Sequence, residues 1–288
     1  MTNTLDAYCV MGNPVAHSRS PWIHARFAEL TNQPLSYDRA LVPLDGFADF
    51  VRDFAARGGK GCNVTVPFKL QAAELATSTS ERVRLAGAAN TLVFGANGIH
   101  AENTDGLGIV ADITRNAGVP IAGRDVLLLG AGGAAAGALG SLLEQKPCRL
   151  VVVNRTHARA QTLVQQHAAI ATLHNVELVA LERQVLETDL TQYFDIIINA
   201  TASSLAGADV PAPASVLHAR SLAYDMMYGP AAQNFLNWAS SHGALARDGL
   251  GMLVEQAAES FALWRGVRPP SAQVLAELRA LLHAEAAH

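Results

Sequence analysis

The residues able to do proton chemistry gather first around one lysine. In Asn63-Val64-Thr65-Val66-Pro67-Phe68-Lys69, Val64 and Val66 alternate with Asn63 and Thr65, the period of a short strand end. Pro67 then suits the first turn of a helix, where a missing N–H costs nothing. Lys69 is therefore expected on the first helical turn just past a sheet edge, where α/β proteins bind ligands. A lysine beside a substrate carbonyl can polarise it and deliver a proton as it is reduced. The competing reading is a solvated surface lysine, since lysine is mostly exposed. Its company favours chemistry: two amide or hydroxyl side chains precede it, and a second polar cluster, Asn103-Thr104-Asp105-Gly106, lies downstream. Asp105 is either the N-cap of a helix starting near Gly106 or the carboxylate that holds the Lys69 ammonium in place.

Two further sets of polar residues suit a small anionic ligand. Ser18 and Ser20, in His17-Ser18-Arg19-Ser20-Pro21, fall in the loop and helix cap after a strand, where hydroxyls and backbone amides can hold a carboxylate or phosphate. Plain helix capping by Ser20, with Pro21 at the first helical position, is the other reading. Gln256 shares one face of a helix with Met252 and Ser260, spaced four apart. It is either an amide facing a cleft or an ordinary exposed glutamine.

A third set addresses a nucleotide. The apolar run Val126 to Leu129 leads straight into Gly130-Ala131-Gly132-Gly133-Ala134-Ala135 and a small-residue helix. This is G-x-G-x-x-A between a strand and a helix, the context in which glycines let the backbone approach a pyrophosphate that the helix N-terminus stabilises. An NAD site wants an acidic residue at the end of the next strand to take the ribose 2′-hydroxyl. Here Arg149 to Val153 ends instead in Asn154-Arg155-Thr156, with Arg159 one turn on. A guanidinium there suits a 2′-phosphate through charge-assisted bonds, so NADP is the expected cofactor. A surface arginine at a helix start is the alternative.

The elements that must position these residues follow from periodicity. Strands are expected at 7–11, 36–41 and 61–66 with helices at 21–30 and 47–56 between them, a βαβαβ order that implies a parallel sheet. A helix over 80–86, a strand over 88–94, a turn at Gly95-Ala96-Asn97-Gly98 and a return strand over 99–102 complete this half. The second half alternates strands and helices from residue 124, with strands at 149–153, 177–180, 194–198 and 221–224. The fold class is α/β with two domains, an N-terminal α/β unit over residues 1–104 and a Rossmann-type unit over 105–249.

Composition bounds the function. The chain has 288 residues, 50% hydrophobic and 16% charged, enough to bury a sizeable core. A net charge of −4 without any Lys/Arg-rich run argues against nucleic acid or an anionic membrane as partner. Cys9, Cys62 and Cys148 stand singly, which suits a reducing compartment and offers no metal framework. No apolar run approaches the roughly 18 residues needed to span a bilayer, and residues 1–8 lack a signal-peptide core, so a cytoplasmic location is expected. Monomer and homodimer both remain open.

Together these stretches resemble the shikimate dehydrogenase family. The resemblance is carried in order by Gly12-Asn13-Pro14 with His17 to Pro21, Asn63 to Lys69, Gly87-Ala88-Ala89-Asn90-Thr91 and Asn103 to Gly106. Gly130 to Ala134, Asn154-Arg155-Thr156, Asn199-Ala200-Thr201, Tyr224 to Tyr228 and Asp248 to Gln256 continue it over nearly the whole length. It implies reversible reduction of 3-dehydroshikimate to shikimate by NADPH, on the route to chorismate and the aromatic amino acids. It further implies that Ser18, Ser20 and Tyr228 hold the substrate carboxylate, and that Thr65, Lys69, Asn90, Asp105 and Gln256 hold its hydroxyls and carbonyl. Lys69 and Asp105 would be the catalytic pair. Gly130, Ala131, Gly132, Gly133, Ala134, Asn154, Arg155, Thr156, Arg159, Met226 and Gly251 would meet NADP, with Thr201 nearby. The resemblance also assigns the last helices, residues 250–288, to the first domain. The segment Ser203 to Gly207 lacks a glycine the family often places there. Relatives that oxidise quinate and use NAD commonly carry an acidic residue near Arg155-Thr156, so this chain looks like the NADP branch. A quinate dehydrogenase and a non-catalytic NADP-binding module are the rival classes; the latter would not need Lys69, Asp105 and Gln256 to converge.

Overall fold

Alternating and continuous apolar runs build two different sheets in this chain. The structure, a computed structural model, describes residues 5–189, 191, 193–201 and 210–286. It divides into two units, Met1–Gly108 with Val254–His288 and Ile109–Leu253.

In the first unit the elements are β1 (Asp6–Gly12), α1 (Ser20–Thr31), β2 (Leu35–Leu41), α2 (Phe47–Ala56), β3 (Gly61–Val64), α3 (Lys69–Leu75), β4 (Ser78–Thr79), α4 (Glu81–Ala86), β5 (Thr91–Gly95), β6 (Gly98–Glu102) and the start of α5 (Asp105–Ala111). The sheet order is β2-β1-β3-β5-β6-β4. β1 pairs in parallel with β2 and β3, β5 runs antiparallel to β3 and β6, and β4 lies parallel to β6. Because β5 is reversed, its first residue, Thr91, lies opposite Asn63 near the end of β3 and opposite Glu102 at the end of β6. Period-2 alternation sends Cys62 and Val64 into a core with Phe47, Val51 and Phe68. Asn63 is left on the opposite face.

The second unit carries β7 (Asp125–Leu129), α6 (Gly133–Glu144), β8 (Arg149–Val153), α7 (His157–His174), β9 (Glu177–Leu181), α8 (Arg183–Thr188), β10 (Ile196–Asn199), β11 (Leu222–Asp225), α9 (Gln233–Ser241) and β12 (Leu245–Arg247). Its sheet is parallel throughout, in the order β12-β11-β10-β7-β8-β9. That is the doubly wound Rossmann order. Val126 and Leu128 face one apolar core with α6 and α7, while Leu127 and Leu129 face another with α8 and α9. Cover on both faces explains why β7 reads as unbroken hydrophobic sequence. The chain enters this unit within α5, continues through a π turn at Asp112–Asn116, and leaves it within α10 (Leu250–Arg265). α10 from Val254 onward and α11 (Ser271–Ala286) belong to the first unit.

Local geometry departs from expectation at three places. β3 stops at Val64, two residues early: Thr65 N–H still bonds Met11 O on β1 (2.9 Å), but Thr65 O accepts from Phe68 N–H (3.0 Å) and closes a turn. The intervening Val66–Pro67 bond is cis, and the helix starts at Lys69, so Pro67 sits in the turn and not on the helix. Ser20 opens α1 instead of capping it, and its own N–H points to Ser18 Oγ at 3.3 Å. The strand expected over 88–94 begins at Thr91, because Ala89 N–H bonds Lys69 O (2.8 Å) and Asn90 N–H bonds Glu102 O (3.1 Å). The departure at Ser203 to Gly207 lies outside the described residues.

Candidate functional site

The ends of β3, β5 and β6 bring the lysine and the downstream acid together. Lys69 Nζ donates to Asp105 Oδ2 at 2.5 Å, with 29% of the lysine side chain and 11% of the aspartate exposed. Asp105 is the first residue of α5, yet both carboxylate oxygens serve side chains: Oδ2 takes Lys69 and Oδ1 accepts from Asn90 Nδ2 at 2.9 Å. Asn103 Oδ1 accepts the Asp105 N–H (3.1 Å), a bond that ties the acid's backbone to the turn before it. The 103–105 turn is itself fixed by Glu102, a buried carboxylate that accepts from Ser80, Arg82 and the Asn103 N–H.

Asn90 is the hub of this corner. Thr104 Oγ1 (2.9 Å) and Gln256 Oε1 (3.3 Å) also lie within reach of its amide nitrogen, whose two hydrogens are shared among the three acceptors, and its oxygen accepts Thr104 N–H (2.9 Å). Gln256, half-buried on α10, is thereby brought 166 positions back in the chain to the Lys69 corner. Thr65 lies in the turn just ahead of Lys69 and is half-buried. Ser18 and the buried Ser20 flank the start of α1 in the loop that follows β1, the strand paired to β3. Arg39 steadies that loop by donating twice to the Ser18 carbonyl, at 2.6 and 3.0 Å. Tyr228, half-buried, belongs to the second unit, in the segment after β11.

In the second unit the glycine loop joins β7 to α6. Gly130 adopts φ +111°, a conformation side chains disfavour, and a Cβ there would meet Ala200 O at 3.0 Å. Around Gly132 and Gly133 the space that a Cβ would fill is open to 4 Å, and no side chain caps the first N–H groups of α6 among the described residues. Open space in front of unpaired helix donors is what a pyrophosphate needs. Ala131 is half-buried and Ala134 exposed. Beyond β8, Arg155, Thr156 and Arg159 are exposed, and Asn154 Nδ2 bonds the Thr156 carbonyl (2.9 Å), shaping the turn into α7. The donor set at this strand end is cationic and hydroxylic, without a carboxylate among residues 154–159, and fits a 2′-phosphate.

The remaining nucleotide candidates sit on one hydrogen-bonded ridge. Thr201 donates to Asn199 Oδ1 (2.7 Å), and Asn199 Nδ2 donates to the buried Asp225 (3.0 Å). Asp225 also accepts Met227 N–H (2.8 Å), while Met226 N–H donates to Asn199 O (3.0 Å). Gly249 N–H bonds Met227 O (2.9 Å), which sets the start of α10 and Gly251 beside this ridge. Asn199 and Asp225, which enter the sequence reading only within longer stretches and without a role, hold this ridge together. The signal was present: each is a polar residue ending an otherwise apolar strand.

A parallel Rossmann unit with an open glycine loop, in one chain with an α/β unit that holds a lysine–aspartate pair at its sheet edge, defines a nicotinamide-dependent oxidoreductase. Residues 10–92 match the shikimate dehydrogenase substrate binding domain, residues 113–223 the shikimate / quinate 5-dehydrogenase domain, and residues 249–279 the shikimate 5′-dehydrogenase C-terminal domain. A shikimate dehydrogenase (NADP(+)) of Acidovorax ebreus is 72% identical over 286 residues, covering 99% of this chain and 100% of that protein. Among solved structures, an Ael1 enzyme from Pseudomonas putida is 46% identical with TM-score 0.88, over 95% of this chain and 98% of that one. The Thermus thermophilus shikimate 5-dehydrogenase, solved with NADP(H) and shikimate, is 28% identical with TM-score 0.82, over 96% and 99%. The chain belongs to the shikimate dehydrogenase family.

Proposed function

We propose that the protein is an NADP-dependent oxidoreductase that reversibly reduces 3-dehydroshikimate to shikimate. The observation that carries this is the Lys69–Asp105 pair at 2.5 Å, with Asn90 and Gln256 converging on it from two other elements. A scaffold that only binds nucleotide has no use for such a corner. The high identity to relatives named as NADP(+) enzymes supports the same reading.

When bound, NADPH supplies the hydride; the chain manages the rest. Lys69 directs its ammonium at the substrate carbonyl oxygen and gives it a proton as the carbon is reduced. The proton then lost from Lys69 returns from water, to which the side chain is partly open. Asp105 holds the ammonium in one direction, and Asn90 holds Asp105. Thr65, Asn90 and Gln256 offer hydroxyl and amide groups to the substrate hydroxyls. Ser18 and Ser20 hold its carboxylate. A site that bonds every hydroxyl rejects an analogue lacking one, since a buried partner is left unpaired. Arg155, Thr156 and Arg159 hold the 2′-phosphate, and the 130–134 loop with the α6 N-terminus holds the pyrophosphate.

Purified protein assayed with shikimate and with quinate, each with NADP⁺ and NAD⁺, tests the assignment. Turnover of shikimate with NADP⁺ well above the other three combinations is expected. Preference for quinate or NAD⁺ would move the protein to the broader branch of the family, and tight NADP⁺ binding without turnover would make it a binding module.

A further inference from the structure

Behind Asn90 lies a chain of buried polar groups that none of the roles above uses. Thr91, Ser260, Asn63 and Tyr37 come from β5, α10, β3 and β2, and all four are buried, as are Asn90, Thr104 and Asp105. The Asp105 carboxylate sets the direction of the first link. A carboxylate oxygen only accepts, so Asn90 turns its Nδ2 toward Asp105. Its Oδ1 then faces Thr104 N–H (2.9 Å) and the Thr91 hydroxyl (3.0 Å). With its proton committed there, Thr91 Oγ1 receives Asn63 Nδ2 (3.1 Å) and lies 2.8 Å from the Ser260 hydroxyl. Ser260 Oγ (3.0 Å) and the Asn90 carbonyl (3.2 Å) also lie within reach of Asn63 Nδ2, whose two hydrogens are shared among the three acceptors. Asn63 Oδ1 is thus left for Tyr37, whose hydroxyl donates at 2.7 Å.

We propose that Thr91, Ser260, Asn63 and Tyr37 are positioning residues that fix the Asn90 amide and, through it, the Asp105–Lys69 pair. An amide has nearly the same shape either way round, so packing alone does not choose its orientation; hydrogen bonds do. Turning Asn90 over would set its oxygen against an Asp105 oxygen, two acceptors in a buried corner, and push the carboxylate off Lys69. Deleting a link removes what forbids that turn. A satisfied buried network specifies one arrangement, whereas a broken one leaves unpaired groups that drive rearrangement. The proposal rests on the dehydrogenase reading for its kinetic consequence, and on the hydrogen bonds alone for its geometric one.

Four variants test it: Thr91→Val, Thr91→Ser, Ser260→Ala and Tyr37→Phe. Folding is checked by thermal unfolding and by NADP⁺ binding, which belongs to the other unit. Thr91→Val is expected to lower kcat for shikimate oxidation about 10- to 100-fold, the scale of misplaced catalytic groups, with substrate KM nearly unchanged. Thr91→Ser, which keeps the hydroxyl, restores kcat. Ser260→Ala and Tyr37→Phe lower kcat in the same sense. Should Thr91→Val fail to fold, Tyr37→Phe, which removes a single oxygen at the far end, carries the same test. Crystal structures of the parent and of Tyr37→Phe give a readout that needs no activity: the Lys69–Asp105 bond is kept in the parent and lost or lengthened beyond hydrogen-bond reach in the variant. Variants that keep parental kcat and an intact Lys69–Asp105 bond overturn the proposal, as does a kcat loss in Thr91→Val that serine does not rescue. A parent without shikimate turnover overturns the dehydrogenase reading instead, and the crystal structures then decide this one.

Discussion

Gly251 has no side chain where the Asp112 carboxylate lies: a Cβ on residue 251 would overlap both of its oxygens. Asp112 is wholly buried in the π turn, and accepts from Arg247 through both guanidinium arms, from the Tyr224 hydroxyl (2.8 Å) and from Asn116 (2.9 Å). Tyr224 in turn bonds the Met252 backbone, and burial with the adjacent Asp112 pushes its hydroxyl well above the usual phenol range. The start of α10 therefore packs directly against the acid of the π turn.

Removing that acid should be costly. Asp112→Ala leaves Arg247 and Tyr224 without their shared partner, and a loss of about 3–5 kcal/mol in unfolding free energy is expected. Gly251→Ala, which forces the carboxylate aside, should cost about 1–3 kcal/mol and weaken NADPH binding as well. Denaturant titration of both variants checks the order. A fully stable Asp112→Ala would mean that water replaces the carboxylate at little expense.

Lys69 should affect turnover more than binding. Lys69→Ala is expected to lower kcat by about 10²–10⁴-fold, because the proton and the charge stabilisation are used as the carbonyl is reduced. Substrate KM should change far less, since the proposed carboxylate partners Ser18 and Ser20 are untouched. Asp105→Asn should also lower kcat, since the amide keeps the shape and loses the charge that fixes the ammonium. Gln256→Ala should act partly on KM, as its amide serves ground and transition state alike. Steady-state kinetics that show wild-type kcat and only a raised KM for Lys69→Ala would make it a binding residue.

Cofactor choice should reside in the turn after β8. Arg155→Ala is expected to weaken NADPH binding by roughly 1.5–3 kcal/mol, the scale of hydrogen bonds to charged groups, with NADH use barely altered. Calorimetric titration with both nucleotides measures it. Equal losses for the two would show that Arg155 does not read the 2′-phosphate.

Stability should fall in acid through His24. Its ring is buried, stacked on Tyr37 with centroids 4.1 Å apart, and neither nitrogen is within hydrogen-bonding geometry of a partner among the described residues. Burial lowers its pKa from 6.5 to about 3, with Asn63 opposing the shift. Between those values the unfolded chain takes up a proton that the native one refuses. Its contribution is therefore complete above pH 6.5 and is lost as pH falls toward 3, at up to about 1.4 kcal/mol per pH unit. His24→Phe, which keeps a stacking ring, should flatten this dependence relative to the parent. Parallel stability–pH curves for the two proteins would count against it.

Sequence alone determined what is local. The glycine loop was readable because a strand, a close backbone approach and a helix start must follow one another within a few residues. β7 announced its cover on both faces by an unbroken apolar run, and Asn63 announced its separate face by alternation with Val64. The absence of an acid after β8 spoke for NADP for the same reason: the residue that meets the ribose is the next one in the chain.

Tertiary structure decided what depends on side chains meeting across the chain. Ser20 and Asp105 each carried a capping reading, and only the fold showed the Asp105 carboxylate spent on Lys69 and Asn90, 36 and 15 positions away. Asn63 meeting Ser260, 197 positions on, and Asp112 meeting Arg247, 135 on, left no spacing in the sequence to find. Local propensity fixes which way a side chain leaves its own strand or helix. Which partner it finds there is set by how the elements pack, because a hydrogen bond depends on distance in space and not on distance along the chain.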